Sequence, residues 1–203
     1  MTLALYIHWP FCARKCPYCD FNSHVRAEVD QAAWREALLA DLAHEAALTA
    51  GQELGSIFFG GGTPSLMPPA TVASLIEAAA RHWRIADDIE ITLEANPSSV
   101  EAANFAALAA AGVNRVSLGL QSLDDAALRF LGRLHGVDEG LAALATAQRQ
   151  FGLPRGGRLA GQRIDQVEAD PREMALGGGE RSQTLVDSMQ SPKKPQRMVI
   201  ERL

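Results

Sequence analysis

The feature that most constrains the fold is a regular alternation of short β-forming runs with helical runs over residues 1–151. Leu3 to Trp9 (LALYIHW), Ser56 to Phe59 (SIFF), Ile89 to Leu93 (IEITL) and Val113 to Leu120 (VNRVSLGL) are the four β-forming runs. Between the first two, Asp30 is placed to cap a helix whose Trp34, Leu38 and Leu42 recur every fourth residue until Gly51. A second helix is expected from about Ala70 to Trp83, after Pro68-Pro69. A third, capped by Ser98 or Ser99, should end at Gly112. Helical stretches at 124–131 and 138–150 follow the fourth run. Strands separated by helices predict parallel βαβ units with right-handed crossovers, an α/β fold.

Composition divides the chain near Phe151. Residues 152–203 contain no Phe, Trp, Tyr, Cys or His. Residues 1–151 carry 10 basic and 17 acidic side chains, against 9 and 7 afterwards, so net charge changes sign. A segment poor in large apolar groups cannot offset its ordering entropy. Residues 152–203 are therefore expected to form a poorly ordered tail.

Overall the chain has a formal charge of −5 and a pI near 5.5, which offers no basic field for nucleic acid. No apolar run is long enough to span a bilayer, and Met1–Leu5 lacks the basic start of a signal peptide. The expected location is cytoplasmic.

All three cysteines, Cys12, Cys16 and Cys19, fall within eight residues just after the first strand. An odd number of clustered thiols in such a chain points to a metal rather than to disulfides. Thiolates suit iron–sulfur clusters or zinc. A cubane held by three cysteines keeps one iron open to a ligand, whereas electron-transfer clusters use four. A zinc knot completed by His24 or His8 is the competing reading.

Each strand also delivers an unusual group at its C-terminal end. The cysteines follow the first, Gly60-Gly61-Gly62-Thr63 the second, Glu94 ends the third and Gln121 the fourth. In α/β sheets and barrels that edge is where ligands sit.

These motifs, together with Tyr6-Ile7-His8-Trp9-Pro10-Phe11-Cys12, Leu93-Glu94-Ala95-Asn96-Pro97, Gly119-Leu120-Gln121-Ser122 and Leu131-Gly132-Arg133-Leu134-His135, resemble the radical S-adenosylmethionine (SAM) family. They are most similar to its branch of HemW heme chaperones and oxygen-independent coproporphyrinogen III oxidases. Tyr18-Cys19-Asp20 resembles the chaperone type, and the dehydrogenating enzymes tend to have Phe-Cys-Gly-Cys there. The resemblance implies a partial TIM barrel, of which this chain would supply about four of six βα units. It implies a [4Fe–4S] cluster on Cys12, Cys16 and Cys19, and SAM on its open iron. Tyr6, Tyr18, Gly61, Gly62, Thr63, Glu94, Gln121 and Arg133 would contact that cofactor. An electron from an external donor would then cleave the sulfonium to a 5′-deoxyadenosyl radical. Porphyrin or heme is the partner of the intact family.

The likeness stops near Phe151. A fifth strand of the type Asp-Leu-Ile-x-Gly-Leu-Pro-Gly-Gln is expected there, but the chain reads Phe151-Gly152-Leu153-Pro154-Arg155. The family's His-Asn-x-x-Tyr-Trp heme motif has no counterpart, since no His, Tyr or Trp follows His135. Out-of-frame translation after about codon 152 would explain both. It would also leave the fourth strand as an unpaired edge and the product marginally stable.

Overall fold

A computed structural model describes residues 2–152 and 199–202 of the chain. Four parallel strands, β1 (Thr2–Trp9), β4 (Glu53–Gly61), β5 (Arg84–Ala95) and β6 (Arg115–Leu118), lie side by side in the order β6-β5-β4-β1. The intervening helices are α1 (Gln31–Leu48), α2 (Pro69–His82) and the pair α3 (Ser99–Ala103) and α4 (Phe105–Ala110). Helices α5 (Asp125–Phe130) and α6 (Val137–Phe151) follow β6. The α/β class and the four parallel strands are as the sequence predicts.

Local chemistry explains the boundaries. The Asp30 carboxylate accepts from the Ala33 amide at 3.0 Å and so satisfies one orphan donor at the start of α1. Pro69 opens α2 at a position where no amide is needed. The expected third helix is broken at Asn104, so Ser98 caps only the short α3. Its Ser98-x-x-Glu101 spacing supplies half of a capping box, the Glu101 amide donating to Ser98 Oγ at 3.3 Å.

Period-two alternation in β1 sorts its side chains onto two faces. Leu3, Leu5, Ile7 and Trp9 are at most 1% exposed and join Leu38, Leu42, Val72, Leu75, Ile57, Phe59 and Leu93 in the core beneath the helices. The opposite face carries Tyr6, His8, Phe58, Thr92 and Glu94, partners or near neighbours across the ladder.

Both outer strands have a distinct situation. Among the described residues β6 is a sheet edge, as the sequence implies. The other edge, on β1, takes β7 (Val199–Arg202) antiparallel, with Tyr6 opposite Val199. Composition averaged over the tail hides this strand, whose local signal is the β-branched Val199-Ile200. The remainder of the expected poorly ordered tail, residues 153–198 and 203, lies outside the described residues.

Candidate functional site

Between β1 and α1 the chain makes a loop closed by two short strands, β2 (Phe11–Cys12) and β3 (His24–Val25), paired in parallel. Its three cysteines are free and half-buried. The Cys19 amide donates to the Cys16 carbonyl at 3.1 Å, and the His24 amide returns to the Pro10 carbonyl at 2.7 Å. The loop is therefore anchored at its root.

The glycines that end β4 are shaped by this loop. Gly61 has φ +111, and a Cβ there would come within 2.6 Å of the His8 ring. At Gly62 a Cβ would meet the Phe11 carbonyl at 2.6 Å. The amides of Gly62 and Thr63 donate to the carbonyls of Trp9 and Phe11 at 2.7 and 2.8 Å. The family resemblance implies cofactor contacts at Gly61 and Gly62, whereas a glycine triplet alone fits a tight strand-to-helix turn. In the fold the missing side chains first let the turn lie against β1 and the root of the cysteine loop.

Glu94, at the end of β5, accepts from the Gly61 amide at 3.3 Å. Burial pushes its carboxyl above the usual range, and the amide partly opposes this. Tyr6 stacks on Phe58 with ring centroids 5.9 Å apart. Its phenol is also raised, by burial first and then by the Glu94 charge. His8 Nε2 donates to the Asn22 carbonyl at 3.0 Å, which leaves Nδ1 to accept from the Tyr6 hydroxyl at 3.4 Å. Burial holds the ring below its ordinary pKa. Tyr6, His8, Phe21, Phe58, Gly61 and Glu94 line a small open cleft.

Arg133 joins these parts. It sits in the loop between α5 and α6. Nη2 donates to Asn96 Oδ1 at 2.8 Å and to the Gly119 carbonyl at 2.9 Å. Nη1 points at the Tyr18 hydroxyl at 3.3 Å and at Cys16 Sγ at 3.5 Å. Asn96 Nδ2 in turn donates to Thr63 Oγ1 at 3.2 Å. One side chain thus ties the cysteine loop to the ends of β5 and β6, and through Asn96 to the glycine turn.

Gln121 lies three residues beyond β6, with φ +66. Its amide folds back over Gly119, beside Arg133.

Sequence reasoning gave no role to Asn96 or to Glu101. The Glu101 side chain is almost fully buried and accepts from Ser65 Oγ, from the Asn96 amide at 2.7 Å and from Ser98 Oγ at 3.3 Å. It fastens the glycine turn to the end of β5 from behind. The capping-box spacing was the available signal; its contact with Ser65, 36 positions away, was not readable from spacing.

Residues 6–155 match the model of the radical SAM superfamily. The chain belongs to that superfamily. As a radical SAM protein it is 49% identical over 148 residues to the Bos taurus "Radical S-adenosyl methionine domain-containing protein 1, mitochondrial", covering 73% of this chain and 34% of the relative. It is 42% identical over 176 residues to the Escherichia coli (strain K12) "Heme chaperone HemW", covering 84% and 47%. The 84% share is more than residues 1–151 alone supply. Among solved structures, the Escherichia coli coproporphyrinogen III oxidase HemN, described as a radical SAM enzyme, superposes with a TM-score of 0.66 at 28% identity, covering 73% of this chain and 34% of that one. The chain spans less than half the length of these relatives.

The site's residues fit the cofactors of a radical SAM protein. Arg133 Nε is buried without a partner, and no carboxylate pairs with this guanidinium among the described residues. Its open charge suits an anionic ligand such as an amino-acid carboxylate. No three His, Cys, Asp or Glu side chains among the described residues form a ready cage for one ion. A cubane asks for something else, since each thiolate meets a different iron.

Proposed function

We propose that the chain holds a [4Fe–4S] cluster on Cys12, Cys16 and Cys19 and binds SAM beside it, in service of heme handling of the HemW type. The observation that carries this reading is Arg133, whose one guanidinium touches the cysteine loop and both strand ends of the cradle. Cluster loop and cradle are thereby parts of one site. When bound, the pair supplies reductive radical chemistry that protein side chains cannot.

The chain's own residues have distinct tasks in this reading. Arg133 meets the cofactor carboxylate, with Gln121 beside it. The turn Gly61-Gly62-Thr63 offers its backbone to the methionine end. Glu94 accepts from the ribose hydroxyls, and burial keeps water from competing. Tyr6 and Tyr18 flank the ligand with aromatic surface. The strands form part of a closing barrel, and an external one-electron donor is required. Three free thiols suit a reducing compartment, so a cytoplasmic location belongs to the proposal.

Names of relatives favour the chaperone reading, as does Tyr18-Cys19-Asp20. The dehydrogenase reading is supported by the likeness to HemN. A zinc module would bind one ion and no sulfide.

Anaerobic reconstitution followed by iron and sulfide analysis is the test. About four of each per chain is expected. Adding SAM should then change the electron paramagnetic resonance spectrum of the reduced cluster, and Arg133→Met should abolish that change while keeping the iron. Zinc without sulfide would overturn the reading.

The proposal includes a boundary: residues 1–151 as the N-terminal part of the radical SAM core, and 152–203 as a tail outside the family pattern, produced out of frame. The match to the Escherichia coli chaperone reaches past Phe151. Translating the other two frames beyond codon 152 decides the boundary. Absence of an Asp-Leu-Ile-x-Gly-Leu-Pro-Gly-Gln-like strand in both would sink the frameshift.

A further inference from the structure

We infer that His135 is a positioning residue that holds the Gln121 turn in its cofactor-facing shape; this rests on the SAM-binding reading above. The strand β6 ends at Leu118, and the chain then makes a tight three-residue turn. The Ser122 amide donates to the Leu120 carbonyl at 2.8 Å, with Gln121 between them at φ +66. Gln121 is the only non-glycine residue with positive φ among the described residues. A three-residue turn with its central residue at positive φ is the rarer, strained form. Strain of this kind persists only where the surroundings over-determine it.

The surroundings come from a single segment. Arg133 Nη2 donates to the carbonyl of Gly119, and His135 Nε2 to that of Leu120, at 2.9 and 3.2 Å. A carbonyl can only accept, so the Nε2 tautomer carries the hydrogen. Two consecutive carbonyls are gripped by residues two apart, and the second is the one that closes the turn. His135 is 6% exposed. Gly140 of α6 packs against it: a Cβ there would come within 3.5 Å of the His135 ring and 3.1 Å of Leu120. Burial, and then the Arg133 charge, favour the neutral ring. The result at the rim is that the Gln121 amide lies over Gly119, next to the Arg133 guanidinium. His135 touches no cofactor-facing group itself. It acts through the Leu120 carbonyl.

The test compares His135→Leu, which fills the space without a donor, with His135→Gln, whose amide nitrogen can reach the same carbonyl. Hydrogen exchange across residues 115–123 is measured on the 203-residue chain before and after cluster reconstitution. SAM affinity is measured on the reconstituted chain. Exchange at the turn should quicken about tenfold or more in His135→Leu and stay close to wild type in His135→Gln. SAM affinity should fall by a similar factor in the first and recover in the second, with iron content equal in all three. Gly140→Ala, which crowds Leu120 from the other side, should reproduce the weaker binding with His135 intact. Unchanged exchange in His135→Leu would overturn the inference, as would a loss that Gln fails to restore in a chain that retains its iron. If exchange responds as expected but no chain, wild type included, binds SAM, the functional reading fails and the positioning role stands.

Discussion

The two faces of the sheet are made from the same strands and do opposite work. Phe58 and Phe59 are neighbours on β4, yet Phe59 is fully buried under the helices while Phe58 stacks on Tyr6 beside the open cleft. Along β1 the alternation repeats, with Leu5 and Ile7 in the core and Tyr6 and His8 on the cleft side. Helix-facing positions are apolar and close-packed, which is where folding free energy originates. Cleft-facing positions hold partly desolvated Tyr, His and Glu side chains that contribute little to packing. Burial raises the pKa of Tyr6 and Glu94 and lowers that of His8. Core packing and the proposed site are thus separated by one residue step along the strand.

The sharpest test of that separation is the adjacent phenylalanine pair. Phe59→Ala should cost about 3–5 kcal/mol in urea unfolding. Phe58→Ala should cost clearly less and instead loosen ligand binding in the cleft. Equal losses would break the comparison.

Next in size is Gly61→Ala, at the seam where the two faces meet the cysteine loop. Its φ of +111 and the crowding by His8 and Trp9 predict about 1–3 kcal/mol of destabilisation. Circular dichroism melts of the unloaded chain would register it. A neutral result would mean that the turn can move away from β1.

Glu101→Gln should cost about 1 kcal/mol, because a neutral oxygen accepts less strongly from Ser65 and Asn96. Combining it with Ser65→Ala should give less than the sum of the two single losses. Strict additivity would show that Ser65 and Glu101 are not coupled.

Smallest is the pH response of Glu94. Its raised pKa means that the folded chain holds the proton more tightly than the unfolded one. The stability this gives is present below the ordinary carboxylate pKa and is lost as pH rises through the raised value. Glu94→Gln should therefore melt slightly higher than wild type at neutral pH, with the difference vanishing in acid. A lower melting temperature at neutral pH would show that the charged form is stabilised in the cleft.

Much of this molecule is legible in order along the chain. Strand–helix alternation gives the parallel sheet, since apolar runs of strand length separated by amphipathic helices have few other ways to bury both kinds of surface. The Asp30 cap and the Pro69 start are local events, so they too are readable. The break at Asn104 was not, because the stretch 99–112 is rich in helix formers and nothing in its pattern announces the interruption. β7 is hidden for a related reason: Val199-Ile200 is a local hint, but its partner strand lies nearly two hundred positions away.

The site divides in the same way. The residues of the proposed site are legible in the sequence, because Cys12-x3-Cys16-x2-Cys19, the glycine turn and Glu94 are contiguous or end identifiable strands. How they are held together was decided only by tertiary structure. Arg133 lies 117 positions from Cys16 and 37 from Asn96, yet it contacts both. His135 reaches a carbonyl 15 positions back, and Glu101 a hydroxyl 36 positions back. A parallel sheet brings the C-terminal ends of distant strands to one rim, so its decisive hydrogen bonds are long-range by construction. Spacing along the chain records the groups that can do chemistry, and only folding sets which of them meet.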